Sequence, residues 1–201
     1  MLAIKSKRTV HSKRLISGLI VLLLLVGGVY VLMLAASPVA APLLTRKPID
    51  IKALPVPQKI DNRLIIPKIG VNIAYATGAQ ALDRGAEWRS PNSGNPLDGG
   101  NFVIAAHRFS IQPTPLGTIE KSPFYSIDKL ANGDKIIVDY NGKRYGYEII
   151  KEFSVKPAQV EIEARTNNSI MTLYSCSLSG AESDRLVIQA KLLGEVALVT
   201  S

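Results

Sequence analysis

Leu15 to Ala36 is a run of 22 residues without one charged side chain. It constrains the fold more tightly than anything else in the chain. A segment that crosses hydrocarbon must satisfy its own backbone, which a helix does. At about 1.5 Å per residue the run spans roughly 33 Å, enough for a bilayer core of about 30 Å. It exceeds the roughly 7–15-residue apolar region of a cleaved leader. The small residues Ala35-Ala36-Ser37 leave cleavage as the alternative to an uncleaved anchor.

The charges give this anchor a direction. Lys5, Lys7, Arg8, Lys13 and Arg14 precede it, and no acid occurs before Asp50. The positive-inside rule puts residues 1–14 in the cytoplasm, residues 15–36 across the membrane and everything later outside. Five of the 24 basic residues lie in that tail, which leaves 19 against all 16 acids. The net charge of +8 is therefore mostly a topology signal, and nucleic-acid binding is not indicated.

Residues 37–60 hold Pro38, Pro42, Pro48, Pro55 and Pro57 and read as an extended, semi-rigid spacer that lifts a folded domain off the membrane. From residue 61 to 201 the chain reads as one mainly β domain. Seven runs are rich in β-branched and aromatic residues: 64–66, 71–76, 101–107, 135–140, 143–151, 170–176 and 186–193. Asn141-Gly142 joins two of them with the residues that a type I′ hairpin turn requires. Residues 79–86 and 122–130 read as short helices. Seven or eight strands at this spacing predict an all-β fold, a closed or nearly closed barrel.

The chain has one cysteine, Cys176, and two histidines, His11 and His107. His11 belongs to the cytoplasmic tail, so His107 is the one imidazole on the side of Cys176. Cys176 ends one strand and Arg185 begins the next, so antiparallel pairing makes them neighbours. His107 closes a strand of its own. A free thiol is only a few per cent ionised at neutral pH, and a nearby imidazole can take its proton. The same imidazole can protonate a leaving amine. A guanidinium stays charged and can steady an oxyanion. Such a trio supports acyl transfer through a thioester. Taken singly, each residue also fits a plain role: a small buried thiol, a structural histidine, a solvated arginine.

The motifs around them favour the trio. Thr172-Leu173-Tyr174-Ser175-Cys176 resembles the Thr-Leu-x-Thr-Cys signature of sortases, the membrane-anchored cysteine transpeptidases of bacterial surfaces. Gly100 to Arg108 is similar to that family's histidine strand, and Arg185-Leu186-Val187-Ile188 to its arginine strand. Ile65 to Val71, Pro123-Phe124 with Leu130 and Gly133-Asp134, and Tyr145 to Glu148 also fit, in order, over about residues 62–193. The resemblance implies a sortase-like barrel with Cys176 as nucleophile, His107 as acid and base, and Arg185 as substrate and oxyanion stabiliser. It implies Ser175, Thr172 and Ala106 as residues that meet substrate, and neither a cofactor nor a metal. The implied partners are surface proteins with a C-terminal Leu-Pro-x-Thr-Gly-like sorting signal. An amine acceptor completes the reaction, either a cell-wall precursor or a pilin lysine. Ser175 departs from the usual threonine: it keeps the hydroxyl and loses a methyl. The rival readings are an anchored cysteine peptidase that hydrolyses, and a non-catalytic surface-binding barrel.

By analogy Val155 to Asn168 lies over the substrate groove. Its Glu161 and Glu163 read as a solvated acidic face rather than half of a calcium site, which wants six or more oxygens. Trp88 and Tyr75 read as packing residues in loops or edges, and Asp98-Gly99-Gly100 as a turn.

Overall fold

Alternation of side chains sets which face of each strand is buried. In the segment Ile170–Ser177, Met171 and Leu173 are fully buried, whereas Cys176 stays partly exposed. The computed structural model describes residues 8–44, 47–178 and 180–197. Lys5 and Lys7 of the basic tail lie outside the described residues.

The elements are α1 (Arg8–Leu44), β1 (Arg63–Ile66), β2 (Val71–Thr77), β3 (Gly85–Trp88), β4 (Gly94–Asn95) and β5 (Gly99–Ala106), then α2 (Pro115–Glu120). They continue as β6 (Lys135–Tyr140), β7 (Lys143–Val155), β8 (Ile170–Ser177) and β9 (Gly180–Glu195). Among the described residues, the strands run in the order β3-β2-β1-β6-β7-β9-β8-β5-β4, and a β3–β5 pairing closes the ring. Eight strands thus make a closed barrel, with the two-residue β4 appended to β5. Phe102, Ile104, Phe124, Ile136, Tyr147, Met171, Leu173 and Ile188 fill its interior. Register shifts in β7, at Gly146/Tyr147 and Ile149/Lys151, let the long β7–β9 ribbon bend around that core. The Asn141-Gly142 turn has positive φ at both residues, 50° and 78°, as a type I′ hairpin needs.

Three segments differ from expectation. Gly85–Trp88 is a strand, parallel to β2 and antiparallel to β5, where residues up to 86 read as helix. Its own residues carry little β preference, so pairing on both sides makes the strand. Trp88 is accordingly no loop residue: its ring meets Tyr75, Phe102 and Tyr140 edge to face. Residues 122–130 hold a single 3₁₀ turn, Ile127–Lys129, while the helix falls earlier, at Pro115–Glu120. Thr114 caps it through its side chain, which Gly117 N–H donates to at 3.0 Å.

The proline-rich stretch is the third. α1 continues to Leu44, through Pro38 and Pro42. Each proline removes one ladder bond, and the alanines and leucines between them favour helix. Beyond it the chain lies on the barrel instead of standing free. Ile49 N–H donates to the Pro67 carbonyl at 3.0 Å, and Arg144 Nη2 to that of Pro55 at 2.8 Å. Within α1, Lys13–Ala36 is a stretch of 24 residues long and apolar enough to cross a membrane, and none of it is buried by the protein.

The β6–β7 hairpin buries an ion pair. Arg144 faces Asp139 in register and grips it with two bonds of 2.7 Å, both side chains being almost wholly enclosed. Removing one partner strands a charge in the interior. Arg144→Met is expected to lower stability by about 3–5 kcal/mol, read by chemical denaturation of the full chain in detergent.

Candidate active site

β5 and β8 run parallel, and their register is the starting point of the site. Asn101 pairs with Ile170 and the ladder continues to Ala105 with Tyr174. Two residues further along stand Cys176, still in β8, and His107, just past the end of β5. On its other side β8 pairs antiparallel with β9, where Cys176 faces Arg185 directly. Directly opposed residues hold their Cβ atoms about 5 Å apart and point to one face. Because Leu173 and Ser175 point into the barrel, Cys176 points out, in one row with Arg185 and His107.

Local bonds hold that row. The His107 carbonyl accepts from the N–H of Phe124, a fully buried core residue, at 3.1 Å. Arg185 donates through Nη1 to the Ser183 carbonyl at 3.1 Å. Past Cys176 the hairpin register jumps, with Ser177 paired to Gly180, so residues 181–184 form a bulge on β9 at the Cys176–Ser177 step. The loop expected between Ser177 and Asp184 is therefore mostly strand.

Beneath this row lies a floor. Val103, Thr172 and Gln189 form one level, and Glu87, Ala105, Tyr174 and Val187 the next. The segment between β7 and β8 is strapped across this outer face. Asn101 Nδ2 donates to the carbonyls of Ile162 at 2.8 Å and Ala164 at 2.9 Å, while its Oδ1 accepts from Thr172 Oγ1 at 2.8 Å. Glu163 accepts from Ser90 Oγ at 2.7 Å, from Arg89 Nε at 3.3 Å and from the Tyr174 hydroxyl. Glu163 is thus a structural clamp and not part of a solvated face; Glu161 remains exposed. The difference arises because Arg89 and Ser90, 74 and 73 residues away, meet Tyr174 at one carboxylate.

Burial acts to raise the Glu163 carboxyl. Hydrogen bonds from Tyr174 and Ser90 and the Arg89 charge outweigh it and hold the pKa below its ordinary value. Burial, reinforced by the bond to Glu163, pushes the Tyr174 phenol well above its ordinary range.

A family model described as the sortase domain matches residues 64–193. The chain belongs to the sortase family. A sortase D5 transpeptidase from Clostridium perfringens is similar at 30% identity, over 67% of this chain and 79% of that one, with a TM-score of 0.54. The SrtA sortase of Actinomyces oris is similar at 27% identity, over 73% of this chain and 89% of that one, with a TM-score of 0.54. Sortase A of Listeria monocytogenes, 19% identical over 70% of this chain and 92% of that one, shares the fold at a TM-score of 0.54. No curated protein sequence matches the chain.

The other residues expected to meet substrate in this sortase lie below its surface. Ser175 and Ala106 face the interior at 2% and 5% exposure, and Thr172 is fully covered beneath the strap. Alternation explains it: if Cys176 and His107 face outward, their immediate neighbours must face inward. The Ser175 hydroxyl has no hydrogen-bond partner there. Arg108, beside His107, turns inward as well and pairs with Asp128 at 3.1 Å. The strap's anchors were missed in the sequence. Asn101, a polar residue opening an apolar strand, was the one visible signal. A cavity of about 440 Å³, lined by Arg63, Asn72, Arg84 and Lys121 among others, takes in none of the three outward residues.

The clamp makes a pH-dependent contribution. An unfolded glutamate titrates near 4.3, and the folded Glu163 titrates lower. Its stabilisation is full above the unfolded pKa and fades as pH falls through the folded one. Glu163→Gln is expected to cost about 1–2 kcal/mol at neutral pH in denaturation experiments. The gap to the parent protein should close on acidification; a gap independent of pH contradicts the assignment.

Proposed function

We propose that this sortase is a cysteine transpeptidase in which Cys176, His107 and Arg185 carry the reaction. The reading is supported above all by one observation: β8 sets Cys176 opposite Arg185 in register and level with the end of the His107 strand. Proximity of imidazole to thiol favours the thiolate–imidazolium pair.

The sulfur attacks the carbonyl carbon of the scissile peptide and forms a C–S bond. The carbonyl oxygen becomes an oxyanion, which the Arg185 guanidinium steadies. Collapse breaks the C–N bond, and the imidazolium of His107 gives its proton to the departing amine. A thioester on Cys176 remains. An incoming amine attacks it, its proton passes to His107, and the thiolate leaves. The new amide replaces the old one, so no oxidant or energy source is required.

The substrate in this reading is a Leu-Pro-x-Thr-Gly-like signal near the C-terminus of a surface protein, cut between Thr and Gly. The acceptor is an amine of the cell wall or of another surface protein. α1 anchors the enzyme, with its N-terminus in the cytoplasm and the barrel outside, in keeping with the basic tail.

Incubating the full chain with a sorting peptide, with and without a primary amine, tests this. Ligated product that depends on the amine is expected, and hydrolysis indifferent to amine contradicts transpeptidation. Cys176→Ala should lower kcat/KM by about 10³-fold or more and His107→Ala nearly as far. Arg185→Ala should lower it about 10²–10³-fold.

A further inference from the structure

The segment from Phe109 to Ile119 contains no charged residue. It begins two residues after His107, yet it is far from buried: Phe109, Ile111 and Leu116 expose 39%, 59% and 62% of their surface. Exposed apolar residues gathered in one uncharged segment mark a contact surface. What covers this one is indicated by α1. The apolar helix packs against α2, and the Tyr30 hydroxyl donates to the carbonyl of Pro113. Tyr30 lies within the candidate span Lys13–Ala36, six residues before its outer end. That is about 9 Å along the helix axis. A tyrosine near the end of a spanning helix belongs to the boundary between headgroups and acyl chains. A loop touching Tyr30 shares that depth.

The backbone of the loop is suited to that place. Polar groups inside hydrocarbon must find partners within the protein, and at its headgroup edge every group so served eases the contact. Ser110 N–H donates to Ser122 Oγ at 3.0 Å and Gln112 N–H to Thr118 Oγ1 at 2.9 Å. Gly117 N–H donates to Thr114 Oγ1 and Thr118 N–H to the Thr114 carbonyl, both at 3.0 Å. Pro113 and Pro115 have no N–H to satisfy. Within 109–116 the Ser110 and Gln112 N–H groups are thus served from within and the two prolines need no partner, while Phe109, Ile111 and Leu116 face outward.

We propose that residues 109–116 form a second membrane contact, seated at the headgroup–acyl boundary on the outer side beside α1. The inference rests on the reading of α1 as membrane-spanning. It turns the end of the barrel that carries His107 and Cys176 toward the lipid surface. A substrate that is itself held in the bilayer then reaches the thiol on a short tether.

The test uses the full chain in phosphatidylcholine–phosphatidylglycerol vesicles, in a Cys176→Ala background that frees the chain of thiols. Single cysteines replace Val26 in α1, Ile111 in the loop and Lys143 at the opposite end of the barrel. Each carries an environment-sensitive fluorophore. Spin-labelled lipid should quench the labels at 26 and 111 and spare the one at 143, and aqueous iodide should do the reverse. A label at 111 that behaves like that at 143 while 26 is quenched overturns the proposal and leaves the anchor standing. Loss of quenching at 26 removes the anchor and the proposal together. Shielding at 111 that appears only with sorting peptide assigns the patch to substrate, and shielding that follows protein density assigns it to a second copy. Either result also overturns the membrane contact.

Discussion

The parallel pairing of β5 with β8 is the constraint on which the site depends. Parallel strands must be joined by a long connection, and this barrel inserts β6 and β7 between the two. β8 then lies between β5 and β9, with Ala105 level with Tyr174 and Arg185 level with Cys176. A slip of one residue in either ladder would turn Cys176 away from one of its neighbours, because side chains alternate. The core guards against such a slip. Met171 and Leu173 on β8, Phe102 and Ile104 on β5, and Ile188 on β9 occupy one interior. Moving any of these strands by one position would expose several large apolar side chains at once.

A second layer works from outside. The strap between β7 and β8 is tied to β5 by Asn101 and to Arg89, Ser90 and Tyr174 by Glu163. Tyr174 sits two residues from Cys176 on the same face of β8. The posture of the strap and that of the thiol therefore share a strand, joined by charge-assisted bonds that are stronger than neutral ones.

Much of this was legible in the sequence where local signals agree with tertiary demand. Runs such as Ile65-Ile66 and Ile170 to Cys176 became strands, and Asn141-Gly142 became the hairpin turn. The nearness of Cys176 and Arg185 followed from one hairpin. Where tertiary contacts overruled local signals, the reading went astray. Gly85–Trp88 is a strand because β2 and β5 hold it on both sides. Pro38 and Pro42 do not end α1. Ser175 and Ala106, which the resemblance suggested as substrate residues, are the chain neighbours of Cys176 and His107, and adjacency in a strand means opposite faces. Glu163 finds Arg89 across 74 residues, a separation over which no spacing rule operates.

The folded part of the chain thus ties its chemistry to a register, and its register to a packed core. In the proposed reading the thioester forms on Cys176, the one cysteine of the chain. Intact mass measurement of the full chain after brief mixing with sorting peptide, without amine, tests this directly. The account predicts one acyl adduct, located on the peptide that contains Cys176, absent in Cys176→Ala and discharged by added amine. An adduct at another residue, or turnover with Cys176 replaced, would contradict it.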